Sequence, residues 1–343
     1  MTGEVLFEQR GAVGLITMNR PKALNALTHA MVVAMKVKLD EWAEDSAVGC
    51  VVIRGAGERA FCAGGDIRAV AESGKAGTSY ALDFWRDEYI LNAAIKHYKK
   101  PYLALISGIA MGGGLGVSVH GTFRVVDETA LFAMPETGIG FFPDVGGSFF
   151  LPRCPGECGL YLALTGARLK STDALYTGLA THFVPAQSTS ALLDRIANGE
   201  TPAHAIAALA QHPGDAPLAA HREKIDRVFC LNAVDRILTA LDAETDDWSR
   251  ETAAVIRTKS PTSLKIVLRE IRAGKGIPLD DCLRMEFRMA SRILAGQDFY
   301  EGVRAVVIDK DQSPKWRPAT LGDVTDEAVG AYFEFLGDKE LPL

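Results

Sequence analysis

From Pro101 to Val119 the chain reads PYLALISGIAMGGGLGVSV without a charged side chain, and no other stretch limits the possible folds as strongly. Such a run either crosses a membrane or lies inside a packed core. It is barely of spanning length, and Gly112, Gly113, Gly114 and Gly116 crowd its second half, where a tight turn suits them better than a helix interior. The expected structure is a buried strand, a glycine turn and the start of a helix. No Walker lysine follows these glycines, and no G-x-G-x-x-G with a later acidic residue supports a dinucleotide fold.

The same grammar recurs on both sides. Val5 to Phe7 and Val13 to Met18, divided by Gly11, fit a hairpin. Met31, Met35, Leu39 and Trp42 share one side of a helix over Thr28 to Trp42, with Thr28 as its N-cap. Val48 to Ile53, Leu103 to Ile106, Phe123 to Val126 and Leu131 to Met134 read as strands, and Tyr80 to Tyr98 as a helix. Phe61 to Gly65 looks like a strand end entering a turn, with Asp66 as turn residue or helix cap; Ala69 to Thr78 is expected to be a mobile loop. Strand, glycine turn, helix and strand in succession predict an α/β protein of repeated crossover units. After Val184 the pattern becomes mainly helical, strongly so over Asp280 to Leu294, with Val303 to Ile308 as a short strand or buried segment. The expected division is a core over 1–190 and a helical C-terminal region over 191–343.

A hydrophobic fraction of 48% and a net charge of -6 over 343 residues describe a globular chain that can bury a large core. No long basic run offers a nucleic-acid surface. The first residues resemble neither a signal peptide nor an Arg-rich presequence, so the expected location is cytoplasmic, without membrane association. Six cysteines in a chain this long point to a reducing compartment, and Cys154 and Cys158 lack the partner pair or nearby His of a zinc site. No metal is expected. His29, His97, His120 and His182 read as structural, and Ser107 and Ser118 lie outside any G-x-S-x-G elbow.

Chemistry concentrates in three segments. CAGGD (Cys62 to Asp66) and MGGGLG (Met111 to Gly116) are glycine turns whose backbone N–H groups can approach a ligand closely. MPETGIGFFPDVGG (Met134 to Gly147) sets two carboxylates, Glu136 and Asp144, among apolar residues and glycines. Prolines and glycines there exclude one regular helix, and Phe141, Phe142, Phe149 and Phe150 suggest that the segment runs through the core. A carboxylate in such surroundings is costly to bury without a purpose or a partner.

NRPKALNAL (Asn19 to Leu27), AFCAGGDI (Ala60 to Ile67), GIAMGGGLG (Gly108 to Gly116) and AMPETGIGFFPDVGG (Ala133 to Gly147), in this order, resemble the crotonase, or enoyl-CoA hydratase/isomerase, superfamily. Within it the chain is most similar to the 3-hydroxyisobutyryl-CoA hydrolases, a likeness that SPTSLK (Ser260 to Lys265), LRMEFRMA (Leu283 to Ala290) and DFYEGVRAVVIDKD (Asp298 to Asp311) share. The resemblance implies a spiral core of repeated ββα units. It implies an oxyanion hole from the amides of Gly65 and Gly113, and a CoA site along Lys22, Ala23 and Leu24 and along Ala63, Gly64, Gly65, Asp66 and Ile67. Glu88, Gly113, Glu136 and Asp144 become substrate-pocket residues, with Glu136 and Asp144 catalytic. It also implies valine breakdown as the pathway, an acyl-CoA as partner, no separate cofactor, and trimers or paired trimers among relatives.

One departure bears on the reaction. Hydratases of the superfamily carry a first glutamate two residues after the glycine triplet, and here that place is Gly116. Hydration by two glutamates is thereby disfavoured, and thioester hydrolysis through Glu136 and Asp144 is expected. The competing readings are an enoyl-CoA hydratase or isomerase and a catalytically silent CoA-binding or assembly protein.

Overall fold

The computed structural model describes residues 3–343. Strands β1 (Val5–Arg10) and β2 (Val13–Met18) form the expected antiparallel hairpin, closed by Gly11 at φ +56°. In the larger sheet β2 is followed, all in parallel, by β3 (Cys50–Gly55), β5 (Tyr102–Ile106), β7 (Phe123–Val126) and β10 (His182–Phe183). A smaller sheet runs through β4 (Ala60–Cys62), β6 (Ile109–Met111), β8 (Leu131–Ala133) and β9 (Leu169–Lys170), antiparallel only at its last pair. The pairs β3 and β4, β5 and β6, and β7 and β8 each place one strand in the larger sheet and the next in the smaller. Helices follow the first two pairs, at Ile67–Ala76 with Tyr80–Lys96 and at Gly113–Gly116. The repeated ββα unit is thus present.

Burial explains the strand sequences. Every residue of β2 and β5 is buried, as expected of strands covered on both faces, where apolar runs replace alternation. On one side Val13, Leu15, Val52, Leu103, Leu105 and Val125 pack with Leu192, Leu193 and Ile196 of helix Thr189–Ala197 and with Ile206 of helix Pro202–Leu209. Each such side chain contributes about 1.5–3 kcal/mol on full burial. Helix His29–Glu44 begins with the predicted cap, Thr28 Oγ1 accepting from Met31 N at 3.2 Å. Its Trp42 lies so close to β2 that a Cβ on Gly14 would come within 2.6 Å of the indole.

The chain forms two compact units. The first comprises residues 1–66, 87–133 and 168–219 and contains both sheets; the second comprises 67–86, 134–167 and 220–343. They are interleaved along the sequence. From Ala186 onward every regular element among the described residues is helical. Within the second unit the fully buried helix Cys158–Thr165 packs against helices Arg222–Phe229, Asp247–Arg257 and Pro261–Gly274.

Two local expectations are corrected. Ala69 to Thr78 is not a loop: Ile67–Ala76 is a helix with Val70, Ala71 and Ser73 buried. Ser73 Oγ accepts from Ala81 N at 3.1 Å, and Gly74 leaves room for the Tyr300 hydroxyl, which would lie 2.5 Å from a Cβ. Ser73 and Gly74 are therefore close-packing positions. Val303 to Ile308 is no strand either, since helix Asp298–Val303 continues as π-helix through Arg304–Ile308. Glu301 and Arg304 pair at 2.8 Å one turn apart where the two helical segments join. Pro101 to Val119 contains β5, β6 and a helical turn, and no helix among the described residues is long and apolar enough to cross a membrane.

Candidate active site

Strands β4 and β6 are parallel neighbours, so the two glycine turns leave the smaller sheet at the same edge. Gly64 (φ +108°) and Gly112 (φ +48°) hold left-handed conformations that redirect the backbone after each strand. The turns then meet closely. A Cβ on Gly64 would lie 3.8 Å from Gly113 N, and one on Gly113 would lie 3.3 Å from Gly65 N. Leu27 N donates to Gly64 O and Asp66 N donates to Leu27 O, both at 2.8 Å, a parallel bridge that leaves the Gly65 N–H directed away from Leu27. Gly113 opens a helical turn, where a backbone N–H has no intrahelical acceptor. The two turns thus bring the backbones of Gly65 and Gly113 side by side.

Glu88, from helix Tyr80–Lys96, belongs to the same place. It is 2% exposed, and its Oε1 lies 2.5 Å from the position a Cβ on Gly113 would take. Glycine at 113 is therefore needed for the approach of Glu88. Glycine at 114 is needed for the sheet, because a Cβ there would fall 2.3 Å from Cys62 O. Gly116 is buried in the same helical turn and brings no side chain.

The stretch assigned to CoA by resemblance lies against the first turn. Pro21–Ala23 is a 3-10 turn with Lys22 and Ala23 exposed, and Leu24 and Asn25 follow at φ +51° and +56°. Successive non-glycine residues in this region are strained. Asn25 secures them, donating to Ala56 O and Ala60 O at 2.9 and 2.8 Å and accepting from Arg20 N at 2.9 Å. Ala63 N donates to Leu24 O at 3.0 Å, and Arg20 pairs with Asp66 at 3.1 Å. Asp66 is thus a salt-bridge residue of the turn, and Ile67 is the first residue of the next helix.

The second unit carries the carboxylates. Glu136 begins the 3-10 turn Glu136–Ile139 and is 7% exposed; Asp144 is 6% exposed. As the sequence suggested, their segment runs among aromatic rings, with Phe141 stacked 5.1 Å from Trp85 and 4.4 Å from Phe142. Burial, and secondarily the charge of Asp144, pushes the Glu136 carboxyl well above the usual range, and its Oε2 has no hydrogen-bond partner. Beyond Asp144 the chain turns through Val145 (φ +53°) and Gly146 (φ +87°). A buried β-branched residue in a left-handed conformation stores about 1–3 kcal/mol of strain.

Two further acids of this unit escaped the sequence reading. Glu286, fully buried on helix Leu279–Ile293, accepts from Gly146 N at 2.7 Å and from Ser148 N and Oγ at 3.0 and 2.5 Å. Burial pushes it up to about 8 although these donors favour its charged form. Glu270, on helix Pro261–Gly274, is fully buried with no hydrogen bond to either oxygen. Burial, then the charges of Glu286, Asp144 and Glu136, raises it well above the ordinary range. A signal was there: each acid occupies the apolar stripe of its helix, Glu286 with Cys282, Leu283 and Ala290, and Glu270 with Ile266, Val267 and Gly274. Among the described residues no group of three or more His, Cys, Asp or Glu is arranged to hold a metal ion.

Glu270 gives the first prediction. An acid raised on folding keeps its proton in the folded chain after the unfolded chain has lost it. Stability then falls as pH rises above the unfolded value, by up to about 1.4 kcal/mol per pH unit per group, until the folded group ionises. Glu270→Met removes this contribution. Its urea midpoint is expected to exceed that of the native protein more at pH 8 than at pH 5. Parallel pH dependence in the two proteins would show that Glu270 does not titrate on unfolding.

The chain belongs to the enoyl-CoA hydratase/isomerase family, whose model matches residues 13–333. It is 49% identical over 350 residues to a protein of Danio rerio named 3-hydroxyisobutyryl-CoA hydrolase, mitochondrial, covering 99% of this chain and 92% of that one. It is 46% identical over 348 residues to the Homo sapiens protein of that name, with 98% and 90% coverage. Among solved structures it is similar to a carnitinyl-CoA dehydratase from Mycobacterium thermoresistibile, with a TM-score of 0.96, 44% identity and 99% of each chain covered. An enoyl-CoA hydratase from Rhodobacter sphaeroides gives 0.94 and 37%, over 99% of this chain and 100% of the other. The family resemblance read from the motifs, and with it the fold class, is borne out.

Proposed function

We propose that this protein hydrolyses the thioester of 3-hydroxyisobutyryl-CoA, or of a closely related short 3-hydroxyacyl-CoA, to the free acid and CoA, within valine breakdown. The observation that carries this reading is the combination of paired amides at Gly65 and Gly113 with the buried acids Glu136 and Asp144, while Gly116 offers no hydratase-type carboxylate. The motif resemblance assigns both sets to one reaction. The carbonyl oxygen accepts from the two amides, which favour the charge that develops on it. Glu136 either attacks the carbonyl carbon, giving a mixed anhydride that water then opens, or takes a proton from the attacking water. Asp144 orients the substrate hydroxyl or the water, and Glu88 lines the acyl pocket. The proton released balances the departing thiolate.

CoA is read as lying along Lys22 to Leu24 and Ala63 to Ile67, held chiefly by backbone groups. Lys22→Ala is expected to raise KM modestly and to leave turnover at saturation intact, as loss of uniform binding does; a collapse of saturated turnover with unchanged KM would remove Lys22 from the CoA site. One methylene in the acyl pocket changes preference by about 1–3 kcal/mol, so neighbouring 3-hydroxyacyl groups are turned over too.

A second reading, enoyl-CoA hydration or its reverse, is favoured by the names of the two similar structures. Thiol release from 3-hydroxyisobutyryl-CoA, compared with loss of the double bond of crotonyl-CoA, separates the two; neither change indicates a silent CoA-binding protein. We infer that no metal or redox cofactor is needed, and thiol release is expected to survive exhaustive chelation. Loss restored by a divalent ion would refute this. The placement proposed is cytoplasmic, supported by six free thiols, five of them buried. The named relatives are mitochondrial, and cell fractionation decides between the compartments.

A further inference from the structure

We propose that Glu286 is a positioning residue for Asp144: its carboxylate anchors Gly146 and Ser148, just beyond the left-handed Val145, and so fixes where that acid points. This rests on the role given to Asp144 above.

The two carboxylate oxygens divide the work. Oε2 accepts from Gly146 N, and Oε1 from the amide and hydroxyl of Ser148. Between these anchors and Asp144 lies Val145, a fully buried β-branched residue at φ +53°. Left to itself, valine relaxes toward negative φ, and the rotation would swing the residue before it. The local backbone supplies Gly147 N to Asp144 O at 2.8 Å, with Phe149 N and Phe150 N donating to Gly146 O at 2.9 and 3.0 Å. Glu286 supplies three from a separate helix, and they terminate on the two residues that flank Gly147. The alternative role for Glu286 is to satisfy the first amides of the short helix Gly147–Phe150, with no influence on Asp144.

A double-mutant cycle separates these roles. Glutamine at 286 can accept through one atom only and turns an NH2 donor toward one backbone N–H, so Glu286→Gln loses one of the two anchors. Its saturated turnover is expected to fall on the order of 10-fold or more, as misplacement of a reacting group does. In an Asp144→Asn background the same change should cost almost nothing, because a residue acting only through Asp144 has nothing left to position. Val145→Gly relieves the strained φ, and the pair Val145→Gly with Glu286→Gln is expected to recover part of the lost turnover. If Glu286→Gln does not fold, Ser148→Ala removes one donor and is put through the same cycle, with a smaller loss and the same coupling expected. Losses that multiply independently, or an unchanged Glu286→Gln enzyme, overturn the proposal and leave the hydrolase reading intact. An Asp144→Asn enzyme with native turnover overturns both the proposal and the role of Asp144.

Discussion

Glu136→Gln is expected to lower saturated turnover of 3-hydroxyisobutyryl-CoA by at least about 10²-fold, the low end for removal of a general base. Glutamine keeps the volume and one acceptor of the side chain and removes its capacity to attack or to take a proton. No carboxylate at position 116 stands ready to substitute, since Gly116 has no side chain. The pH profile supplies a second readout. Burial and the neighbouring Asp144 raise Glu136, and either route needs its ionised form. Turnover of the native enzyme should therefore fall, as pH is lowered, above the range where ordinary carboxylates protonate, and this limb should disappear from the residual activity of the variant. Because Glu136 and Asp144 interact, the limb belongs to the pair. Single-turnover hydrolysis in ¹⁸O-water distinguishes the routes, since label in the protein carboxylate marks the anhydride. Near-native turnover by Glu136→Gln would falsify the central assignment.

Gly113→Ala keeps the backbone N–H but is expected to reduce turnover by about 10²-fold, the cost of displacing reacting groups by about an ångström. Position 113 is helical, so alanine meets no backbone objection. The objection comes from the site: the new methyl would stand 2.5 Å from Glu88 Oε1 and 3.3 Å from Gly65 N. Glu88 must move, and the space beside the two amides is partly filled. Gly114→Ala is the informative companion, because its methyl would meet Cys62 O, a backbone atom of β4, at 2.3 Å. The first variant should lose activity with a modest change in Tm, and the second should lose stability. Turnover close to native in Gly113→Ala would remove this turn from the chemistry.

Strands β2, β3 and β5 of the larger sheet were legible because burial leaves them as short apolar runs, whereas the two-residue β10 left no such run. The hairpin and the Thr28 cap were legible from local chemistry. The helix at Ile67–Ala76 was not, because Ser73 and Gly74 act there as close-packing residues for Ala81 and Tyr300, which are distant in sequence or beyond a turn. The π-helical end at Arg304–Ile308 was hidden by β-branched residues whose intrinsic preference tertiary context overrides. In the site, the glycine turns and the Glu136 and Asp144 segment stood out through composition. Glu270 and Glu286 did not, because an acid on an amphipathic helix looks solvated until the whole stripe is traced. The interleaving of the two units has no local signature at all.

That interleaving governs how the protein can be made. The first unit takes its last residues from 168–219, including the helices Thr189–Ala197 and Pro202–Leu209 that cover the larger sheet. A nascent chain therefore cannot close its first unit until residues through Ala219 have left the ribosome. The turn after Asp144 waits longer still, for a helix that begins at Leu279. Until those helices emerge nothing of theirs covers the parallel strands, and uncovered strands are prone to aggregate. Splitting the gene near codon 190 would leave the N-terminal fragment in that state permanently, so heterologous production should succeed only with the uninterrupted reading frame or with fragments co-expressed to reassemble.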